Sequence, residues 1–304
     1  CFNSFVIYNC SNNSIYSFKI FCLMKAIVFN LSAWMILPFM DAIAKYLSTD
    51  LSFFQVTWAR YFFTVVLVLP FMLIFVKDSI RGSKNIKLQI YRGLALFSAN
   101  ICFFYSISVI SMAKALTLAF IAPLITTALS PKFLNEKVGF RRWSAVLVGF
   151  LGCLVVIRPG FLDFNLATIA ALGTGCSYGV YLVITRSLHS TDPPFLTLLL
   201  TGVVGLTIGS FFVPLVWEPP TSIQWLWMCL MGLFACLGHI FLIISLKYSD
   251  ASKLAPFGYF EILPNIILGY YFFGDFPDMW TFIGLSIIII SGIYVFRREL
   301  IVNK

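Results

Sequence analysis

The chain has 304 residues, of which 60% are hydrophobic, 17% aromatic and only 11% charged, with a mean hydropathy of +0.95. A soluble domain carries roughly a quarter charged residues, so this composition cannot tile a water-facing surface and places the chain in a bilayer. The net charge of +9 does not point to nucleic acid, because the basic residues stand singly or in small groups between apolar segments and form no continuous basic face.

In chain order, residues 1–23 are rich in Asn and Ser and lack the charged, apolar and cleavage-site order of a signal peptide. They read as a disordered or artefactual extension, with Met24 and Lys25 opening the first clean span. Apolar runs between polar or Gly/Pro breaks then predict spans at Ala26–Leu47, Ser52–Val76, Leu88–Ile110, Ala113–Leu134 and Trp143–Ile157. A second five follow at Leu166–Leu188, Phe195–Trp217, Ile223–Leu246, Ser252–Gly274 and Met279–Phe296. Most reach the roughly 20 residues that cross a hydrocarbon core of about 30 Å. The expected fold is therefore an all-α integral membrane protein with ten transmembrane helices.

Lys and Arg beside the spans set the orientation. With the amino terminus in the cytoplasm, sixteen cations, Lys25, Arg92, Lys132 and Arg186 among them, fall on the inside and only Lys45, Lys114 and Arg158 outside. Both termini are expected to be cytoplasmic.

The two sets of five repeat each other. Lys45-Tyr-Leu-Ser-Thr-Asp50 matches Arg186-Ser-Leu-His-Ser-Thr-Asp192, and Gly93 through Asn100 aligns with Gly232 through His239. Each unit closes on an acidic corner, a tryptophan and a glycine: Glu136, Trp143 and Gly152 against Asp275, Trp280 and Gly292. Because a unit has five spans, the copies enter the membrane from opposite faces. This predicts two inverted five-helix repeats, residues 24–160 and 161–304, around a central cavity, the arrangement that lets one site open alternately to each side.

Ala119-Phe-Ile-Ala-Pro123, Leu134-Asn-Glu136-Lys-Val-Gly-Phe-Arg-Arg-Trp143, Gly149 to Gly152 and Arg158-Pro-Gly160 resemble the EamA unit of the drug/metabolite transporter superfamily. So do Pro256-Phe-Gly-Tyr259, Phe273-Gly-Asp275-Phe-Pro277-Asp and Ser291-Gly292-Ile-Tyr. The basic corner and the Pro-Phe-Gly-Tyr segment are similar to the branch that includes S-adenosylmethionine and riboflavin transporters. The second unit departs in two places: Asp275 replaces the usual corner Glu, and Pro264 sits differently in its helix from Pro123. The resemblance implies a cavity lined by the first, third, fourth, sixth, eighth and ninth helices.

Ionisable groups at membrane depth cost at least about 2.5 kcal/mol, so each needs a partner or a water-filled cavity. Glu261 is the deepest acid, either a substrate contact or proton acceptor or a structural partner for Lys or Arg. Tyr259 lies two residues away, about 200° round a helix, so both cannot face one site. Asp41 and Lys45 are spaced for an i,i+4 ion pair. Arg60 needs an acid, expected to be Asp41, or an anionic group of the solute. Asn100 and His239 hold equivalent repeat positions and are expected to meet the cavity. Trp34, Tyr178 and Tyr181 are placed to stack on a flat ring or to pack together.

Gly175-Cys-Ser177-Tyr-Gly179 fits a G-x-S-x-G nucleophile pattern, but no strand precedes it and the glycines have the spacing of close helix packing. Eight cysteines with no CxxC pair and two histidines with no HExxH pattern offer no metal or cofactor site and no enzyme. The function expected is a secondary transporter of a small organic metabolite, proton-coupled or exchanging, in the bacterial cytoplasmic membrane. A channel or non-transporting receptor is the alternative, and an intramembrane enzyme a more remote one. The partners expected are the metabolite and the lipid bilayer, with no nucleic acid.

Overall fold

The structure is a computed structural model that describes residues 12–75, 82–136, 138–157 and 165–274, and within the last expected span residues 279–280, 282–284, 286–287, 290–291 and 293–294. The corner at Asp275 to Asp278, Arg158 to Gly160 and Gly292 lie outside the described residues. Among the described residues there is helix and no strand. From residue 12 to residue 274 the α-helices are, in order, α1 (Asn12–Leu47), α2 (Phe53–Phe75), α3 (Ile86–Val109), α4 (Met112–Ala119), α5 (Ala122–Leu134), α6 (Phe140–Ile157), α7 (Leu166–Ser187), α8 (Pro194–Phe212), α9 (Ser222–Tyr248), α10 (Ala251–Leu254) and α11 (Ile262–Phe273). A short 3₁₀ turn, Val213–Leu215, ends α8, and a longer one, Ala255–Glu261, joins α10 to α11.

Among the described residues, seven helical stretches are long and apolar enough to cross a membrane: Phe21–Leu47, Phe53–Phe75, Ile86–Val109, Met112–Leu134, Leu166–Ser187, Pro194–Leu215 and Ser222–Tyr248. The expected fifth span appears as α6, of which Trp143–Gly152 forms a shorter apolar stretch. The expected ninth is not one helix but the succession α10, 3₁₀ turn and α11. Residues 12–23, part of the stretch expected to be a disordered or artefactual extension, run as helix into α1 from Asn12; Ile15, Phe18, Ile20 and Phe21 interleave the polar residues there and carry the apolar character of α1 backwards.

Helix ends follow local chemistry. Asn165 caps α7 by accepting from the Thr168 amide at 3.0 Å, and Thr221 with Gln224 forms a reciprocal capping box on α9. Pro123 falls in the first turn of α5, where a missing N–H costs nothing. Asn135 (φ 54°) and Gly274 (φ 71°) end α5 and α11 in the left-handed region, which turns the chain away from the helix axis.

Packing runs chiefly between the two sets of helices: α1 lies along α9, α3 along α7 and α2 along α8. Gly175 and Gly179 bring α7 onto the α4–α5 break, against the Ala119 carbonyl, Ile121 and Ile125, so this pair is a packing motif, as its spacing predicted. Down α8, Gly202, Gly205 and Gly209 meet Thr64, Tyr61 and Trp58 of α2 in turn. The descending partners make α8 antiparallel to α2, so the turn at Asp192, before α8, and the turn at Asp50, before α2, lie at opposite ends of the bundle. At each turn the aspartate accepts from a glutamine near the start of a long helix. Gln224 Nε2 donates to Asp50 Oδ2 at 3.2 Å and Gln89 Nε2 to Asp192 Oδ2 at 2.7 Å.

Candidate solute cavity

Two broken helices open a cavity in the bundle. On one side α4 and α5 are interrupted at Phe120–Ile121; on the other the 3₁₀ turn replaces α-helix over Ala255–Glu261. Phe120 and Pro123 at the first break and Gly258 and Glu261 at the second line the space between them. The α1 helix adds Asn30, Trp34 and Asp41, α3 adds Asn100 and Phe103, α7 adds Thr174 and Tyr178, and α9 adds His239. The space between the lining atoms comes to about 860 Å³, part of it continuous with the exterior.

Six of the eight sequence-predicted residues border this space: Trp34, Asp41, Asn100, Tyr178, His239 and Glu261. Tyr259 does not. Its hydroxyl donates to the Val146 carbonyl of α6 at 3.0 Å and its ring lies on Gly149, as the 200° offset from Glu261 requires. Arg60 also stands outside the lining, immediately behind it. Its Nε donates to Met40 Sδ at 3.2 Å, a terminal nitrogen meets His239 Nε2 at 2.6 Å, and the guanidinium lies 4.6 Å from the Tyr61 ring centre.

The acids differ from the bases in their surroundings. Asp41 is 3% and Glu261 8% exposed, and neither carboxylate makes a hydrogen bond or ion pair with any described residue. The two repel each other across the cavity, and the Arg60 charge acts on Asp41 from behind. The expected Asp41–Lys45 pair is not formed: one turn along α1, the Lys45 ammonium stands over the Phe273 ring at 5.0 Å. Trp34 is fixed by donating from Nε1 to Asn30 Oδ1 at 2.8 Å, while Asn30 donates to Ser245 Oγ at 3.2 Å. The Trp34 and Tyr178 rings are tilted by 60° with centres 6.0 Å apart, and the buried Tyr178 hydroxyl has no hydrogen-bond partner among the described residues. Tyr181 packs behind Tyr178 and does not border the cavity.

A polar seam behind the lining was not legible in the sequence. Arg92, counted there among the cytoplasmic cations beside the spans, is fully buried in α3. Its Nε donates to Thr185 Oγ1 at 2.7 Å, and its terminal nitrogens donate to the Thr197 carbonyl at 3.0 Å, the Thr201 hydroxyl and the Tyr181 hydroxyl at 2.8 Å. Tyr181 in turn meets His239 Nδ1 at 3.1 Å. A continuous chain therefore runs Arg92, Tyr181, His239, Arg60 through α3, α7, α9 and α2. Asn100 joins it from the cavity side by donating from Nδ2 to the Tyr61 hydroxyl at 3.0 Å. The signal available in the sequence was the pair Thr185 and Thr201, whose hydroxyls suit a buried arginine.

A second cluster lies against the cavity at Leu246 and Ala251. Glu136, just past α5, accepts from the backbone amides of Ala251 and Ser252 at 2.9 and 3.0 Å and from Arg186 Nε at 3.3 Å. Arg186 also donates to the Leu246 carbonyl at 2.7 Å and to Asp250 Oδ1 at 3.1 Å. Leu246 and Ala251 themselves line the cavity. Among the described residues no three His, Cys, Asp or Glu side chains group as a metal site.

A helical bundle with spans of membrane length around a largely apolar cavity that a few polar side chains border defines an integral membrane protein. The chain belongs to the EamA-like transporter family, whose profile matches residues 24–158 and again 165–297. It is 29% identical over 263 residues to an S-adenosylmethionine uptake transporter of Rickettsia conorii, covering 85% of this chain and 88% of that one. It is 24% identical over 282 residues to a riboflavin transporter of Vibrio cholerae, covering 91% and 94%. A crystal structure with a TM-score of 0.75 and 17% identity, covering 91% of this chain and 99% of its own, shares the fold.

Proposed function

We propose that this protein is a secondary transporter that carries a small organic metabolite through the cavity by alternating access. The observation that carries the reading is a cavity at membrane depth bordered by α1, α3 and the α4–α5 break from one half and by α7, α9 and the 3₁₀ turn from the other. A site shared in this way changes its opening when one half rocks against the other. Two inverted five-helix halves and ten spans, with both termini cytoplasmic in a bacterial inner membrane, are the topology we infer. The Asp50–Gln224 and Asp192–Gln89 pairs, which join the two repeat-matched aspartates to a glutamine on the third helix of the other half and lie at opposite ends of the bundle, support it. So does the break in the fourth helix of each half.

S-adenosylmethionine and riboflavin, named for two relatives, are the first solutes to test. Of the two coupling candidates, Glu261 is favoured over His239: its carboxylate opens on the cavity without a hydrogen-bond partner, whereas both His239 nitrogens are occupied. Purified protein in liposomes should take up labelled solute with saturation and with acceleration by unlabelled solute on the far side. A channel would give flux without that counterflow, and a receptor or enzyme no flux, either of which would displace this reading.

A further inference from the structure

We propose that Asp41 and Glu261 form a charge-reading subsite for the positive centre of an organic cation, with a flat ring of the same solute lying against Trp34 and Tyr178. The inference rests on reading the cavity as the solute path and names the class of solute.

Two acids at this depth without partners are expensive to keep. Cations are near, but they are committed elsewhere. The Arg60 donors are turned to Met40 and His239. Arg92 is spent on three threonines and Tyr181. Around the cavity itself the two acids have a single guanidinium near them, that of Arg60 behind Asp41, so whenever both are ionised the empty site is one positive charge short. A neutral or anionic solute would leave both acids dehydrated and unpaired; one carrying a single positive charge completes the set.

The walls argue for an organic cation over a metal ion. A hard cation needs six or more oxygen ligands, and this lining is dominated by Leu37, Phe103, Leu116, Phe120 and Leu254. Trp34, pinned by Asn30, offers a fixed indole face, the best aromatic partner for a cation or a flat ring. The unpartnered Tyr178 hydroxyl is a ready hydrogen-bonding group for a polar ring substituent.

The test is titration calorimetry on the purified full chain with two matched pairs that differ in one positive charge. They are S-adenosylmethionine against S-adenosylhomocysteine, which lacks the methyl that makes the sulfur cationic, and the N-methylnicotinamide cation against nicotinamide. The cation of at least one pair should bind ~10-fold tighter than its neutral partner. Asp41→Asn and Glu261→Gln should each bring that ratio towards one. Trp34→Leu should weaken both members of the pair alike. Equal binding within both pairs, binding of neither pair, or a charge preference that survives both carboxylate substitutions overturns the proposal. Should Asp41→Asn fail to fold, the wild-type pairs and Glu261→Gln still decide. Charge-selective binding without counterflow in liposomes keeps this inference and removes the transporter reading; counterflow without charge preference does the reverse.

Discussion

Arg60 and His239 meet at 2.6 Å, and this contact decides where the imidazole proton sits. A guanidinium only donates, so Nε2 accepts and the ring hydrogen lies on Nδ1, directed at the Tyr181 oxygen 3.1 Å away. The histidine is thereby a fixed link between α2 and α7, and Arg60 depends on it for a hydrogen bond in the bilayer interior. His239→Leu should destabilise the protein by about 2 kcal/mol, the scale of a buried hydrogen bond to a charged group. The double variant with Arg60→Met should lose less than the sum of the single losses, since removing both partners leaves no orphaned charge. Thermal unfolding of the four proteins in lipid reads the coupling, and strict additivity would show that the contact carries no energy.

Glu136 and Arg186 tie the end of α5 to the start of α10 directly beneath cavity residues Leu246 and Ala251. Opening the cavity at this end requires those bonds to part. With a cysteine placed at Thr126 in a background freed of the native cysteines, Glu136→Ala should speed labelling by a membrane-impermeant thiol reagent added at this end several-fold. The rate from the other end should not rise. Glu136→Gln, which retains an acceptor for one backbone amide, should fall between. Unchanged labelling in Glu136→Ala would mean that the cluster does not hold the end shut.

Arg92 makes four hydrogen bonds to two helices, α7 and α8, from a fully buried position. Arg92→Met should lower stability by about 3 kcal/mol, because four polar groups lose their partner. Arg92→Lys should recover little, since an ammonium cannot reproduce the planar fork. Denaturation in mixed detergent measures both, and full rescue by lysine would show that charge alone matters there.

Gly205 lets α8 lie on the face of Tyr61; a methyl group there would occupy the ring. Gly205→Ala should displace Tyr61, remove the partner of Asn100 and weaken solute binding from outside the cavity. Gly173→Ala, whose added carbon would meet only Cys102 Sγ at 3.7 Å, is the matched control and should leave binding within twofold. Equal effects of the two would sever the link between Tyr61 and the cavity.

The membrane class, the positions of most long helices and the placing of six of the eight candidate residues beside the cavity follow from hydropathy and from the internal likeness of the two halves of the sequence. Asn100 and His239 were legible because alignment made each a witness for the other. Arg92 was not, because a count of cations beside apolar runs treats a residue one turn inside a helix like one in a loop; only the threonines of α7 and α8, distant in sequence, draw it inward. The Asp41–Lys45 spacing suggested a local pair, yet the geometry of the bundle turns Asp41 to the cavity and Lys45 to Phe273. Pro264, which the sequence sets differently from Pro123, lies inside the first turn of α11, and the second break falls ahead of it at Ala255–Glu261. A proline at a helix start leaves no kink, so proline position alone could not locate it.

The 3₁₀ turn of Ala255–Glu261 holds a reserve of length. Such a turn advances about 2.0 Å per residue against about 1.5 Å in an α-helix, so winding its seven residues into α-helix would draw Glu261 along the bundle by about 3.5 Å. Tyr259, at the middle of the turn, is bolted to α6 through Val146. A change of pitch here would therefore be transmitted to α6 as a push or a pull, giving the carboxylate a short stroke within the cavity while the long helices keep their packing.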